Sequence, residues 1–319
     1  NGGQVSNTDC TIAEELGSLG QATVHGAGSV WTNTNLYIGG SSTIDGGNGT
    51  LTISNGGTIN VTDELVLWYS GMMTVNGGTI RFSQPESFRN NGGILNYHSG
   101  TVELECDADI GNMIGGSSTV AAFFGPSPNI PTGKHLSVTG EASLLSKVTL
   151  SGGTFSADSL VNPWLLQFDS GTFNLTGDDL SIALGGLFGR TLEIYPEQQI
   201  GVTNNATVGP TGLLLINGGT FSASTTINQG EISLASIPSG TPALLAGSVV
   251  DNRGFIYGEG RISAELHNAA TGMVDIAADS QLVLTGTTNI NHGMIANSGG
   301  TLRATGLISN ETGGHINAT

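Results

Sequence analysis

A short phrase recurs from one end of this 319-residue chain to the other. It consists of a polar residue, then Gly-Gly or Ser-Gly, generally Thr, and then two apolar residues separated by a polar one. The phrase starts at Asn55, Asn76, His98, Ser151, Asp169, Asn217, Ser298 and Thr312. The apolar pairs that follow are Ile59/Val61, Ile80/Phe82, Val102/Leu104, Phe155/Ala157, Phe173/Leu175, Phe221/Ala223, Leu302/Ala304 and Ile316/Ala318. Apolar residues at every second position describe a strand with one buried face. Glycine permits the positive φ of an abrupt corner, and Asn tolerates the same region. Each unit is thus a strand, a corner and a strand, too short to bury its apolar face alone. Stacking copies buries it, which is the logic of a solenoid. Ile59 to Ile80 spans 21 residues and Ile80 to Val102 spans 22, a workable length for one coil. The chain is expected to be all-β, a single parallel β-helix (β-solenoid) continuous over residues 1–319.

Composition narrows the function classes. Glycine supplies 51 residues but there is no Gly-X-Y period, which excludes collagen. The net charge is −17, with eight Lys plus Arg, so nucleic acid is a poor partner because phosphate binding needs a cationic surface. Anionic lipid is disfavoured on the same ground. No apolar run has the length of a membrane helix, so no transmembrane segment is expected, and no basic-then-apolar leader opens the chain. Asn1 is not a start methionine and Gly2-Gly3 already belong to a repeat, so the chain reads as processed or excerpted. Two cysteines make no disulfide framework. Cys106 sits in Val102–Ile110, where even positions are apolar, and reads as inward. Cys10 lies about four coils earlier, roughly 20 Å along the stack, so no bridge between the two is expected.

The first 62 residues hold a longer repeat: Asn1-Gly-Gly-Gln-Val-Ser6 matches Asn55-Gly-Gly-Thr-Ile-Asn60 at an offset of 54, two or three coils. Between them stand Ala22-Thr-Val-His-Gly-Ala-Gly-Ser-Val-Trp-Thr-Asn33, Leu36-Tyr-Ile-Gly39 and Gly49-Thr-Leu-Thr-Ile53. Over residues 20–61 the chain resembles the glycine-rich repeats of secreted bacterial proteins, of the autotransporter-passenger and PEP-CTERM extracellular types. Gly133-Lys-His-Leu-Ser-Val138 and the Asn-x-Gly-x-Ile phrases at Asn252 and Asn291 are similar in style. The resemblance implies a secreted, right-handed β-helix at the cell surface or outside the cell, structural or adhesive. It carries with it neither a sorting segment nor an outer-membrane barrel.

Residues 111–134 interrupt the pattern. Ala121-Ala-Phe-Phe124 is followed by Pro126, Pro128 and Pro131, and proline cannot donate to a ladder. A loop or lateral excursion is expected there, and with it a place for lateral contact. Pro163-Trp164 reads as another corner, and Gly258-Glu-Gly260 as a corner and not a nucleotide site. Trp68 and Tyr69 read as packing or cap residues, with sugar stacking as the functional alternative. The last phrase, Gly313-Gly-His-Ile-Asn-Ala318, reads as mid-repeat, leaving an open coil edge that invites stacking.

The polar cluster with most chemical content is Glu103, Glu105, Asp107 and Asp109. All four stand at odd positions of a strand with apolar even positions, so they should share its solvent face about 6–7 Å apart. Such carboxylates suit Ca²⁺, a possible ligand; a solvated acidic edge that discourages wrong pairing is the alternative. Asp178-Asp179 is a weaker version. An enzyme would need facing carboxylates for a hydrolase, or a base with cations or metal for a lyase. The eight basic residues are scattered, and the six histidines (25, 98, 135, 267, 292 and 315) keep no metal-ligand spacing. No nucleophile elbow, His-Glu-x-x-His or phosphate loop occurs. Thr58, Thr79 and Thr101 could form a column, but without paired Thr-x-Thr rows of an ice-binding face. Sequons at Asn48, Asn60, Asn174, Asn205, Asn310 and Asn317 are expected from composition alone.

The expectation is a non-enzymatic extracellular or cell-surface structural protein, a filament or adhesin subunit that stacks end to end with copies of itself. Extracellular polysaccharide or another cell surface is a further partner. No cofactor is required. The alternative is a carbohydrate-binding or polysaccharide-degrading β-helix working through a lateral groove.

Overall fold

The computed structural model describes residues 2–111, 118–236 and 241–318. It is nearly all-β, with parallel strands stacked as a β-solenoid. The chain divides into two compact units, Asn1–Asp169 and Ser170–Thr319.

In the first unit the repeats stack in register, and the recurring apolar residue forms one continuous row. Val5 aligns with Trp31, Trp31 with Ile59, Ile59 with Ile80, Ile80 with Val102, Val102 with Leu136 and Leu136 with Phe155. From Ile59 onward every member of this row is fully buried. The 54-residue offset between Val5 and Ile59 is therefore two coils. Outside the corner, Thr58, Thr79 and Thr101 do stack in a column, which then meets His135. The row beside it runs Asn60, Arg81, Glu103, so no Thr-x-Thr array forms.

The two glycines of the phrase have separate tasks. Gly77 has φ of 77°, the left-handed region where a side chain is strained. Gly78 instead needs clearance: a Cβ there would stand 2.5 Å from Cγ2 of Ile53 and 3.0 Å from the Gly57 carbonyl oxygen, both of neighbouring coils. One glycine turns the chain and the next lets two coils touch.

In the interruption at 111–134, where a loop or lateral excursion is expected, part of the chain is helical. Residues 112–117 lie outside the described residues, but Ser118–Phe124 forms a short helix, α1. Its Phe123 ring lies 5.1 Å from Phe88, 5.5 Å from Tyr97 and 6.2 Å from Phe82, and Phe124 lies 5.4 Å from Tyr97. Oγ1 of Thr119 accepts a hydrogen bond from the Phe88 amide at 3.2 Å. The aromatic run therefore turns inward and fills the core, because burying two Phe side chains outweighs a solvated loop. Asn129–Pro131 then rejoins the stack against Thr149–Gly152, with a bulge at Pro131. The Pro163–Leu165 segment is a 3-10 turn with Trp164 exposed, the corner expected.

In the second unit the corresponding row is Phe173, Ile200, Phe221, Leu245, Ile262 and Leu284. A second, seven-stranded sheet closes the coils, from Thr191–Ile194 to His315–Ala318. Polar residues also enter this interior. Asn228, Asn252, Asn268 and Asn291 are buried and bonded in series, each Nδ2 donating to the next Oδ1 at 2.8, 2.8, 2.7 and 2.7 Å, ending on Asn310. Each interior Nδ2 donates its other proton to a backbone carbonyl: Phe255, Met273, Met294 and His315 at 3.0–3.2 Å. This asparagine ladder satisfies amides that would otherwise be costly to bury.

The final coils depart from the expected pattern. Leu302 and Ile308 are only half-buried, Ala304 is exposed, and Ile316 is 45% exposed. These residues occupy core register, but no described coil covers them. The Ala318 side chain lies outside the described residues.

Candidate functional site

The four predicted acidic residues do share the solvent side, yet not one strand. The strand Ile94–Leu104 ends before a corner at 105–107, and Ala108–Ile110 resumes after it. Glu103 is taken up by Arg81, whose Nε lies 2.6 Å from Oε2. Glu105 is exposed, with the Ser83 hydroxyl 3.4 Å away. Oδ1 of Asp107 accepts the Glu141 amide at 2.8 Å, so this carboxylate braces the adjoining corner. The corner, a feature the alternation of residue types could not disclose, separates Glu103 from the rest.

What the fold brings together instead is Asp107, Asp109, Glu86 and Glu141, around a recess of about 210 Å³. Glu86 is engaged as well, both its oxygens accepting the Ser118 amide at 3.2 Å. Among the described residues no group of three or more His, Cys, Asp or Glu is arranged to hold a metal ion. Asp178 and Asp179 are exposed, and Asp179 accepts the Asn205 amide at 2.9 Å.

The thiols are free and half-buried. Burial pushes both upward in pKa, reinforced at Cys106 by Asp107 and Glu105. Cys106 lies in the corner and not on the inward face expected for it. Of the aromatic pair, the Trp68 indole donates to the Ser41 carbonyl at 2.7 Å, a packing role, while Tyr69 is exposed. His135 donates to or accepts from the Ser156 hydroxyl at 3.0 Å, and burial lowers its pKa against a smaller opposing pull from Glu103. Lys134 lies over the Tyr97 ring at 4.6 Å, a cation–π contact.

Each unit also has strands that pair on one side only among the described residues. In the first unit, Gln4–Ile12 and Leu19–His25 have strand partners on one side only among the described residues. Between them opens a hollow of about 500 Å³ whose lining includes Val5, Ala22, Val24, Val30 and Trp31. Inside this edge, Asn33 is fully buried with neither amide atom hydrogen-bonded. In the second unit, Thr301–Ala304, Leu307–Asn310 and His315–Ala318 likewise pair on one side. Asn310 ends the ladder there: its Nδ2 donates to the Gly314 carbonyl at 3.0 Å, and its second proton has no described partner.

The ladder was not foreseen from sequence. Its signal was present as Asn-x-Gly-x-Ile at Asn228, Asn252 and Asn291, where the Asn precedes a corner and the Ile follows it. Among the described residues no helix is long and apolar enough to cross a membrane. Comparison of the chain with family models, with curated proteins and with solved structures returned no match.

Proposed function

We propose that this protein is a structural β-solenoid subunit that joins coil to coil with further copies of itself, outside the cell or at its surface. The observation that carries this reading is the regularity of the stack, in which apolar rows and an asparagine ladder pass from coil to coil in register. Every interior Asn in the series uses both amide protons, whereas Asn310 uses one. A coil of a further copy bearing a side-chain acceptor in register would extend the ladder, and it would cover Ile308 and Ile316. The hollow edge of the first unit, floored by Val5 and Trp31, is a surface of suitable character to meet it. Strand addition supplies main-chain hydrogen bonds, and the covered apolar side chains add the hydrophobic term. The likeness of residues 20–61 to secreted bacterial repeats supports the extracellular setting.

The test is light scattering and negative-stain electron microscopy of the purified chain over a range of concentrations. Linear, concentration-dependent assemblies are expected. Ile308→Lys with Ile316→Lys should return the protein to monomer. A wild-type protein that stays monomeric at every accessible concentration, or assemblies indifferent to both lysines, would overturn the reading.

A further inference from the structure

On the outer face of the second unit, one register row runs Arg261, Val283, Arg303 on three successive strands, Gly260–Ile262, Gln281–Leu284 and Thr301–Ala304. The row floors a groove of about 380 Å³ whose sides include Gln281, Thr285 and Thr305. Arg81, Arg89 and Arg253 each pair with a carboxylate: Glu103, Glu64 and Asp251. Neither Arg261 nor Arg303 pairs with one among the described residues. Arg261 leans along the row instead, its Nε donating to the Thr285 hydroxyl at 3.3 Å. One carboxylate, Glu259, borders the groove. In a chain of net charge −17 this is a local cationic track on an acidic body.

We propose that this groove binds a linear carboxylated polysaccharide, with Arg261 and Arg303 each taking a uronate carboxylate. Guanidinium groups recognise carboxylates through paired N–H donors. Stacked strands repeat at about 4.8 Å, so the two arginines arise about 9.5 Å apart. A sugar ring in an extended chain advances by about as much as one strand spacing. Alternate rings would then present a carboxylate to an arginine, while the ring between lies against Val283. Thr285, Thr305 and Gln281 offer donors and acceptors to ring hydroxyls.

Charge density separates this ligand from nucleic acid. Duplex DNA carries a charge about every 1.7 Å, and most of those phosphates would face the surrounding acidic surface. A polymer with one carboxylate per ring matches two isolated cations without that repulsion. Binding in this groove does not depend on coil-to-coil association.

The experiment measures binding of the full chain to polygalacturonate at low salt, in EDTA so that no divalent cation bridges acidic protein to acidic polymer. The fully methyl-esterified polymer, with the same backbone and no charge, and duplex DNA serve as comparators. Binding to the free acid and not to the ester or DNA is expected. Arg261→Gln with Arg303→Gln should weaken it about two- to thirtyfold, the sum of two partly exposed ion pairs. Glu259→Gln should strengthen it, an outcome that no loss of folding can imitate. Ile308→Gln with Ile316→Gln, which opposes stacking without adding charge, should leave it unchanged, which keeps this result separate from the association test. No binding to the free acid, equal binding to the ester, tighter binding to DNA, or a double glutamine variant as good as wild type would each overturn the proposal.

Discussion

Replacing Asn268 with alanine tests whether the asparagine ladder holds the second unit together. Asn268 is fully buried and sits mid-series. Its Oδ1 accepts from Asn252 at 2.8 Å, and its Nδ2 donates to Asn291 at 2.7 Å and to the Met294 carbonyl at 3.1 Å. Truncation removes all three bonds and leaves one donor proton of Asn252 and the Oδ1 of Asn291 facing each other across a void. A buried polar group left unsatisfied costs about 1–3 kcal/mol, so two of them with the small cavity amount to about 3–5 kcal/mol. Asn310→Ala strips one bond at an exposed edge and should cost about 1 kcal/mol. Replacing Asn268 and Asn291 together with leucine should cost less than the two single leucine changes summed, since the pair removes its own orphans. Chemical unfolding followed by far-UV circular dichroism, with amide exchange resolved by mass spectrometry, reads the effect. Tryptophans 31, 68 and 164 all lie in the first unit and give a separate local signal. An Asn268→Ala cost below about 1 kcal/mol, the net worth of one ordinary hydrogen bond, would refute the ladder as a source of stability.

Gly78→Ala should destabilise the first unit by about 1–3 kcal/mol, because its Cβ would meet Ile53 and the Gly57 backbone, whereas Ser83→Ala on an outward position should change the unfolding midpoint little. Phe123→Ala should cost about 3–5 kcal/mol by emptying the centre of the ring cluster formed with Phe82, Phe88 and Tyr97, measured as a shift in the denaturation midpoint. His135 is held neutral by burial, its folded pKa lying below the ordinary value of 6.5. The unfolded chain then binds the proton more readily, so stability is full above pH 6.5 and falls as pH drops from there through the folded pKa. His135→Gln, which can still bond Ser156, should flatten that stretch of the stability–pH curve; an unaltered slope would show that other groups set it.

The coil was readable because it rests on a local rule. Ile59, Ile80 and Val102 alternate with polar residues, and a glycine pair marks each corner, so buried rows and coil length both follow from spacing. The asparagines did not read as interior, because their type is associated with turns and solvent. Only a partner on the next coil, 16 to 24 residues away, makes burial of Asn252 or Asn268 tolerable. Helix α1 was hidden for a different reason: three prolines nearby signal a loop, while the worth of burying Phe123 and Phe124 depends on rings contributed by Phe82, Phe88 and Tyr97. At Glu103–Asp109 the alternation was right about which side each carboxylate faces. It was silent about the corner after Leu104, which hands Asp107 and Asp109 to Glu86 and Glu141.

All of the ladder's amides point the same way, nitrogen of one coil toward oxygen of the coil after it. Their dipoles therefore add instead of cancelling, and each bond polarises the next. Such a column has a direction, like a row of magnets laid pole to pole. Mid-column links are reinforced from both sides and terminal links from one, so loss of order should start at the extremities and travel inward. Two stacks meeting by a twofold axis at Asn310 would bring proton donor against proton donor, whereas stacks laid in the same sense would not. The amide row thus biases any growth of this structure toward a single polarity.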